Sequence, residues 1–382
     1  MTRTSDFGIY IHIPFCVRKC RYCDFLSFRC EDDGILRGYT EALLKEMEIK
    51  SGDFRYRLAD SVYIGGGTPS ILSPWDMGRI LDAVRENFNI REDAEITIEA
   101  NPATLTDEKL ERYLRKGANR LSIGVQSFDN KILELLGRIH NKNDALYTFQ
   151  KVKKAGFGNI NLDLMFGIPG QSMKTWKDTV RECVFLRPAH ISLYSLQIEE
   201  GTELYDMYRD GKLGEVNDYL DREMYHVALK VMKNAGYRHY EISNCALPGF
   251  DSRHNMRYWS YGDYIGLGPG AGSFAGGKRF ENFRTMTKYI KALKEGVDPV
   301  DSENIKEYTK RDEMGIFVFT GLRKAEGISL EEFRDIFGED FFGVYDERVL
   351  KKYKGLLILA DGRLCLSERG MDVSNRIMTE FV

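Results

Sequence analysis

Ile9-Tyr10-Ile11-His12-Ile13-Pro14-Phe15-Cys16-Val17-Arg18-Lys19-Cys20-Arg21-Tyr22-Cys23 carries an apolar run into three cysteines within eight residues. The run Ile9 to Ile13 reads as a buried strand, and Pro14 ends it. Three thiols are thus delivered to a loop at the carboxyl end of a strand, where open α/β folds carry their chemistry. Three readings compete. The thiols are unpaired loop residues, although free Cys is usually buried singly. Or they bind zinc, although a structural zinc site wants four ligands, often in paired C-x2-C knuckles, and the sequence has no second pair. Or they hold an iron–sulfur cluster, a soft site that suits thiolates. Three ligands on a four-iron cube leave one iron open, and an open position points to chemistry.

The rest of the composition narrows the class. A chain of 382 residues exceeds one ordinary core, so two domains are expected. Hydrophobic content of 43% with 30% charged residues is that of a soluble globular protein. A formal charge of −3 leaves no electrostatic footprint for nucleic acid. No apolar run approaches the roughly 20 residues of a membrane helix. Met1-Thr2-Arg3-Thr4-Ser5-Asp6 enters the first strand at once, so no signal peptide is expected. Clustered free thiols fit a reducing cytoplasm. Cys30, Cys183, Cys245 and Cys365 are scattered and read as small core or surface residues, not bridges.

Downstream, strands and helices alternate. Leu36, Tyr39, Leu43 and Met47 mark a helix face. Ser61-Val62-Tyr63-Ile64 reads as a strand running into Gly65-Gly66-Gly67-Thr68-Pro69, and Ser73-Pro74 opens the next helix. Further strands are expected at 95–100, 120–126, 161–166 and 190–194. Helices between them open at Thr106, span 142–155 and open at Ser172. Six strands alternating with helices imply a parallel sheet, which right-handed crossovers curl into a full or partial barrel. The strand ends carry cysteines, glycines, Glu99 with Asn101, Gln126 with Ser127, and Asp163, all of which a barrel brings to one mouth. Past residue 200 the rhythm breaks. His239-Tyr240-Glu241-Ile242 reads as an edge strand, and a Gly-rich run spans Gly262 to Gly277. From about residue 300, short charged helices precede Leu356 to Leu366, a hairpin signal around Asp361-Gly362. The expected division is 1–200, 201–299 and 300–382.

The C-x3-C-x2-C spacing, with the strand before it and Gly-Gly-Gly-Thr-Pro after it, resembles the radical S-adenosylmethionine superfamily. That resemblance implies an open (β/α)6 partial barrel in the α/β class, with a smaller, mainly helical, winged-helix-like C-terminal domain. It implies that Cys16, Cys20 and Cys23 hold a [4Fe-4S] cluster whose fourth iron chelates S-adenosylmethionine. Glycine loops after a strand bind anionic ligand ends through backbone N–H groups. By resemblance Gly66, Gly67 and Thr68 contact the methionyl part, Glu99 holds the amino group or ribose, and Tyr10 and Tyr22 lie beside the cofactor. Gln126, Arg138 and Asp163 match contacts to a second S-adenosylmethionine. Arg18, Lys19 and Arg21 either raise the cluster potential or form a solvated face.

Nearly the whole chain is similar to the HemN/HemW group of that superfamily, from Tyr10-Ile11-His12-Ile13-Pro14-Phe15-Cys16 to the motif His254-Asn255-Met256-Arg257-Tyr258-Trp259. Within the group, the oxygen-independent coproporphyrinogen III oxidases have a long segment before the first strand and a further Cys two positions after the third. Here few residues precede the strand, and that position is Phe25. The heme-chaperone branch is therefore expected, with the oxidase, which decarboxylates propionates, as the alternative. The H-N-x-x-Y-W match implies that His254, Tyr258 and Trp259 meet heme. Expected partners are heme and heme-accepting proteins, without nucleic acid or stable membrane insertion. Homodimerisation and cleavage of S-adenosylmethionine are left open.

Overall fold

The computed structural model describes residues 6–30, 32–214 and 217–382. Six strands, β1 (Phe7–Ile13), β2 (Leu58–Gly66), β3 (Asn89–Ala100), β4 (Arg120–Gln126), β5 (Asn159–Phe166) and β6 (His190–Ser195), run parallel in chain order. Helices α1 (Asp33–Ser51), α2 (Pro74–Asn87), α3 (Asp107–Arg115), α4 (Lys142–Ala155) and α5 (Met173–Leu186) make the crossovers. Each starts on a side-chain cap, Asp32, Ser73, Thr106, Asn141 and Ser172 respectively, and Gly156 stops α4 in the left-handed region at φ 113°.

The strands alternate strictly, and the alternation explains the curl. Ile9, Ile11, Val62, Ile64, Ile96, Ile98, Leu121, Ile123, Leu162 and Ile191 face the helices and are buried with them in one apolar cluster. The other register is polar: Tyr10, His12, Ser61, Tyr63, Thr97, Arg120, Ser122, Asn161 and His190. These side chains fill the inside of the partial barrel and satisfy one another. His190 Nδ1 and Nε2 lie 2.6 Å from Asn161 Oδ1 and 2.7 Å from the Tyr240 hydroxyl. Asn161 Nδ2 in turn donates to Ser122 Oγ at 2.7 Å and to Asp163 Oδ1 at 2.8 Å. A buried polar interior is stable only when its members are paired in this way.

Beyond residue 200, α6 (Asp218–Asn234) packs on α5. Strands β7 (Arg238–Glu241) and β8 (Asn244–Ala246) then extend the sheet antiparallel beside β6. Strand β7 ends the sheet, as an edge strand should. Helix α7 (Arg253–Trp259) closes the floor of the barrel. Its backbone N–H groups at Arg253 and His254 donate to the Glu95 carboxylate, at 3.2 and 3.4 Å. Gly8 permits this approach: a Cβ there would stand 2.9 Å from Arg257 Cδ and 3.2 Å from the His254 ring.

Strands β2, β3 and β5 start earlier than expected, and one segment is sheet where none was expected. Strand β3 starts at Asn89, not Glu95, because the polar lead-in pairs with Leu58 and Ala59. The Gly-rich run is also sheet: β9 (Tyr264–Leu267) adds parallel to β1, and β10 (Gly272–Ala275), β11 (Lys278–Glu281) and β12 (Lys306–Glu307) follow antiparallel. A Cβ on Gly266 would lie 2.4 Å from the Gly272 carbonyl oxygen, so the glycines serve close strand packing and are not simple turns. The C-terminal unit has its own core of Val318, Leu322, Ile328, Phe333 and Leu364. Helices α8 (Lys310–Gly321) and Leu330–Phe337 precede a hairpin, Leu357–Ala360 with Arg363–Leu366. Asp361 and Gly362 both have positive φ, 51° and 71°, as a tight two-residue hairpin turn requires. No helix among the described residues is long and apolar enough to cross a membrane.

Candidate functional site

The carboxyl ends of the six strands surround a cavity of about 420 Å3. Cys16, Cys20, Cys23, Tyr22, Gly66, Gly67, Thr68, Glu99, Gln126, Arg138 and Asp163 all line it. Eleven of the residues expected here are thus brought together from five different strand–helix connections and the strands beside them. Tyr10 is not among them. It stands one layer deeper, its hydroxyl 2.9 Å from His12 Nδ1, with its ring stacked against Tyr63.

The cysteine loop is held at both ends. The backbone N–H of Phe28 donates to Pro14 at 2.7 Å and that of Cys30 to Cys16 at 3.1 Å, so the loop returns to where it left. His12, overlooked in the sequence because it sits within the strand, lies with Nε2 2.8 Å from the Leu26 carbonyl oxygen and latches the loop to β1. Arg21 braces it laterally: its guanidinium pairs with Glu203 at 2.9 Å and donates to the Glu134 carbonyl, and its backbone N–H bonds Leu136. Lys19 reaches the Phe25 carbonyl at 3.3 Å. Arg21 thus fixes the loop from a half-buried position, while Arg18 and Lys19 are exposed to solvent.

All seven cysteines are free. Burial pushes the Cys16 thiol up, and it pushes Cys23 up to about 11. Metal ligation needs the thiolate, so a multiply charged soft group is what such a pocket would require to hold sulfur in that form. Thr68 Oγ1 and Arg138 Nη1 are set to support the sulfurs, donating to Cys16 Sγ at 3.5 Å and Cys20 Sγ at 3.3 Å. Three soft sulfur donors thus line one cavity, two of them with hydrogen-bond donors aimed at them. That donor set fits an iron–sulfur cluster.

Beside Cys16, the glycine loop is pinned to the cysteine loop. Gly67 N–H donates to Ile13 at 2.8 Å and Thr68 N–H to Phe15 at 2.7 Å. Gly66 has φ 110°, which favours glycine. Glu99 is half-buried on the cavity wall and accepts from the Tyr63 hydroxyl at 2.7 Å and from Gly66 N–H at 3.2 Å. Burial, with Asp163 nearby, still raises its carboxyl from 4.5 to about 7. Burial likewise raises Asp163, against hydrogen bonds from Asn161, Ser192 and Ser122. Two half-buried acids facing one cavity suit a ligand that brings positive charge. Gln126 enters through a bulge in β4, with φ 66° and a buried Oε1 that has no partner. An amide acceptor left open on a cavity wall is a further mark of a ligand site. The lining residues Ser122, Tyr194 and Gln197 were missed in the sequence. The polar–apolar alternation of β4 and β6 was the available signal for the first two.

The raised Glu99 carboxyl sets a sign for stability. The folded protein holds this proton more tightly than the unfolded chain, so ionising Glu99 costs stability. The cost is absent below pH 4.5 and complete above about 7. Ligand-free wild type should therefore lose roughly 2–3 kcal/mol relative to Glu99→Gln between those limits. Thermal unfolding of both proteins at pH 5 and pH 8 measures the difference, and parallel curves would refute it.

The residues expected at heme lie elsewhere, at the barrel floor. His254 is 1% exposed, with Nδ1 3.0 Å from Ser61 Oγ and Nε2 2.8 Å from the Tyr258 hydroxyl. Its ring stacks on Tyr63 at 5.3 Å. Burial beside Arg257 and Arg120 drives its pKa down to about 3, so it is neutral. Both nitrogens are in use, and neither is presented to a ligand in this conformation. Tyr258 and Trp259 reach past it to a second cavity.

The sequence pattern described as the Radical SAM superfamily matches residues 10–183, and that of the HemN C-terminal domain matches 308–373. The heme chaperone HemW of Lactococcus lactis is 34% identical over 375 residues, covering 98% of this chain and 96% of that protein. HemW of Bacillus subtilis is 35% identical over 376 residues, covering 98% of each. The solved structure of coproporphyrinogen III oxidase (HemN) from Escherichia coli, a radical SAM enzyme, superposes with a TM-score of 0.85. It covers 100% of this chain and 91% of that one at 21% identity, which shows a shared fold. Fold and mouth are thus those of a radical S-adenosylmethionine scaffold. The chain belongs to the HemN/HemW group of that superfamily.

Proposed function

We propose that this protein is a heme chaperone, which binds heme and passes it to acceptor proteins, and that it works with a [4Fe-4S] cluster and S-adenosylmethionine. One observation carries the reading: proteins named heme chaperone HemW align with 98% of the chain, across both the barrel and the C-terminal unit. In this reading Cys16, Cys20 and Cys23 hold the cluster. Gly66, Gly67 and Thr68 cradle the methionyl end of the nucleotide, Glu99 takes its amino group or ribose, and Tyr22, Gln126, Arg138 and Asp163 complete the cavity. Tyr10 supports them through His12. When bound, these cofactors supply one-electron and radical chemistry. The chain itself binds and orients them, and Arg138 and Thr68 direct N–H and O–H dipoles at the sulfurs. Heme is assigned to the face bearing Tyr258 and Trp259, with His254 behind them. Free thiols throughout suit a reducing cytoplasm.

The oxidase reading keeps one observation in its favour, the fold shared with HemN. Against it stands Phe25, which is 65% exposed on the rim of the mouth at the position of the oxidase's extra cysteine. Two assays on anaerobically reconstituted protein test the choice. Heme titration should give a saturable Soret shift. Incubation with coproporphyrinogen III, reductant and S-adenosylmethionine should give no protoporphyrinogen. Product formation, or no heme binding, overturns the chaperone assignment.

A further inference from the structure

The second cavity, about 480 Å3, lies between the sheet extension and the C-terminal unit. One wall is a cross-strand row on β9, β10 and β11. Tyr264 pairs with Phe274 and Phe274 with Arg279, so all three project from one face. The facing wall is Ile316 and Phe319 of α8, and Trp259 closes one end. The slot is lined mainly by aromatic rings, with tyrosine hydroxyls and Thr320 among them and one cationic rim. There Arg279 is exposed, and its register partner Lys306 on β12 lies beside it. Neither forms an ion pair with a carboxylate among the described residues, unlike Lys278 next to them, which pairs with Glu307. The Arg279 charge is felt inside the slot, where it draws down the Tyr264 hydroxyl against the upward push of burial. The Trp259 indole N–H is enclosed without a hydrogen-bond partner, and its ring stacks under the Arg323 guanidinium at 4.3 Å.

An occupant must match this lining: a body of cofactor size with aromatic faces to stack on the rings and anionic groups along one edge. We propose that this slot is the heme site. The porphyrin is sandwiched between the Tyr264–Phe274 face and Phe319, with its propionates against Arg279 and Lys306. The inference rests on the chaperone reading and adds to it residues of β9 to β12 and α8 that lie outside the His254–Trp259 motif. His254 then acts through Tyr258, as a positioning residue.

Hemin titration of the full-length reconstituted protein tests the site with two slot variants and one remote control. Arg279→Glu reverses the rim charge, and Ile316→Trp fills the slot. Tyr56→Ala removes a 90% exposed aromatic elsewhere, to register unspecific sticking. Each slot variant should weaken binding by about tenfold or more, while Tyr56→Ala binds like wild type. Cluster content and unfolding temperature, measured on the same samples, should stay at wild-type values, so that lost affinity is not lost folding. Heme dimethyl ester, which lacks the carboxylates, should bind more weakly than heme to wild type and equally well to wild type and Arg279→Glu. If wild type binds no heme, the chaperone reading itself falls. If wild type binds heme and both slot variants bind it unchanged, the chaperone reading stands and the slot is wrong. Equal affinity for heme and its diester would remove the propionate assignment.

Discussion

Cys16→Ala, Cys20→Ala and Cys23→Ala should each retain less than about one iron per chain after anaerobic reconstitution, against about four in wild type, and should lose the visible absorbance of the cluster. The three thiols come from one short loop but occupy different surroundings. Cys16 is buried at the end of β1 under Thr68. Cys20 faces Arg138. Cys23 closes a tight turn through its N–H to the Cys20 carbonyl at 3.2 Å. No fourth Cys or His lies among the residues lining the cavity, so none can take over from a missing thiol. Cys365→Ser is the control. That thiol is half-buried on the distant C-terminal hairpin and should leave iron content unchanged. Because the loop is latched by His12, Arg21 and the Phe28 and Cys30 backbone, each Ala variant should still fold, and its unfolding transition should confirm it. A full cluster in any of the three Cys→Ala variants would refute the assignment of that thiol.

The mouth was legible in the sequence because its parts are local. Cysteine spacing, a glycine loop after a strand and polar residues at strand ends are all short-range patterns, and the barrel's right-handed connectivity gathers them. What escaped was set by partners far along the chain. Nothing local shows that His12 meets Leu26. The role of Gly8 depends on a helix some 250 residues later, where His254 and Arg257 press on it. The run from Gly262 to Gly277 hid two strands, because the glycines that let β9 and β10 lie close also erase the side-chain alternation by which strands are read. The motif His254 to Trp259 forms one short helix, but which of its members turns to a cavity was not legible. Burial decides that, and it turns His254 inward and Trp259 toward the slot.

Gly67→Ala should weaken S-adenosylmethionine binding by about 30- to 100-fold and lower iron retention as well, two effects from one methyl group. Gly66 and Gly67 are needed for different reasons. Gly66 is held at a backbone angle that side chains avoid, whereas Gly67 has an ordinary backbone and is limited by space. A Cβ on Gly67 would stand 2.6 Å from the Phe15 carbonyl oxygen, 2.9 Å from its carbon and 3.0 Å from Cys16 Sγ. The first two are backbone atoms, and Phe15 already accepts the Thr68 N–H at 2.7 Å, so no side-chain swing relieves the clash. The loops must part, and overpacking of this kind costs roughly 2–3 kcal/mol, which matches the loss in affinity. Parting them also separates Thr68 from Cys16, hence the iron loss. Gly78→Ala makes the contrast. That glycine is inside α2, and its added Cβ meets only the flexible Arg112 side chain, at 3.3 Å. A helical Gly→Ala change there should be neutral or stabilising by up to about 1 kcal/mol, with nucleotide affinity unaltered. Calorimetric titration of the three reconstituted proteins separates the cases. Wild-type affinity in Gly67→Ala would mean that the nucleotide does not lie in the glycine cradle.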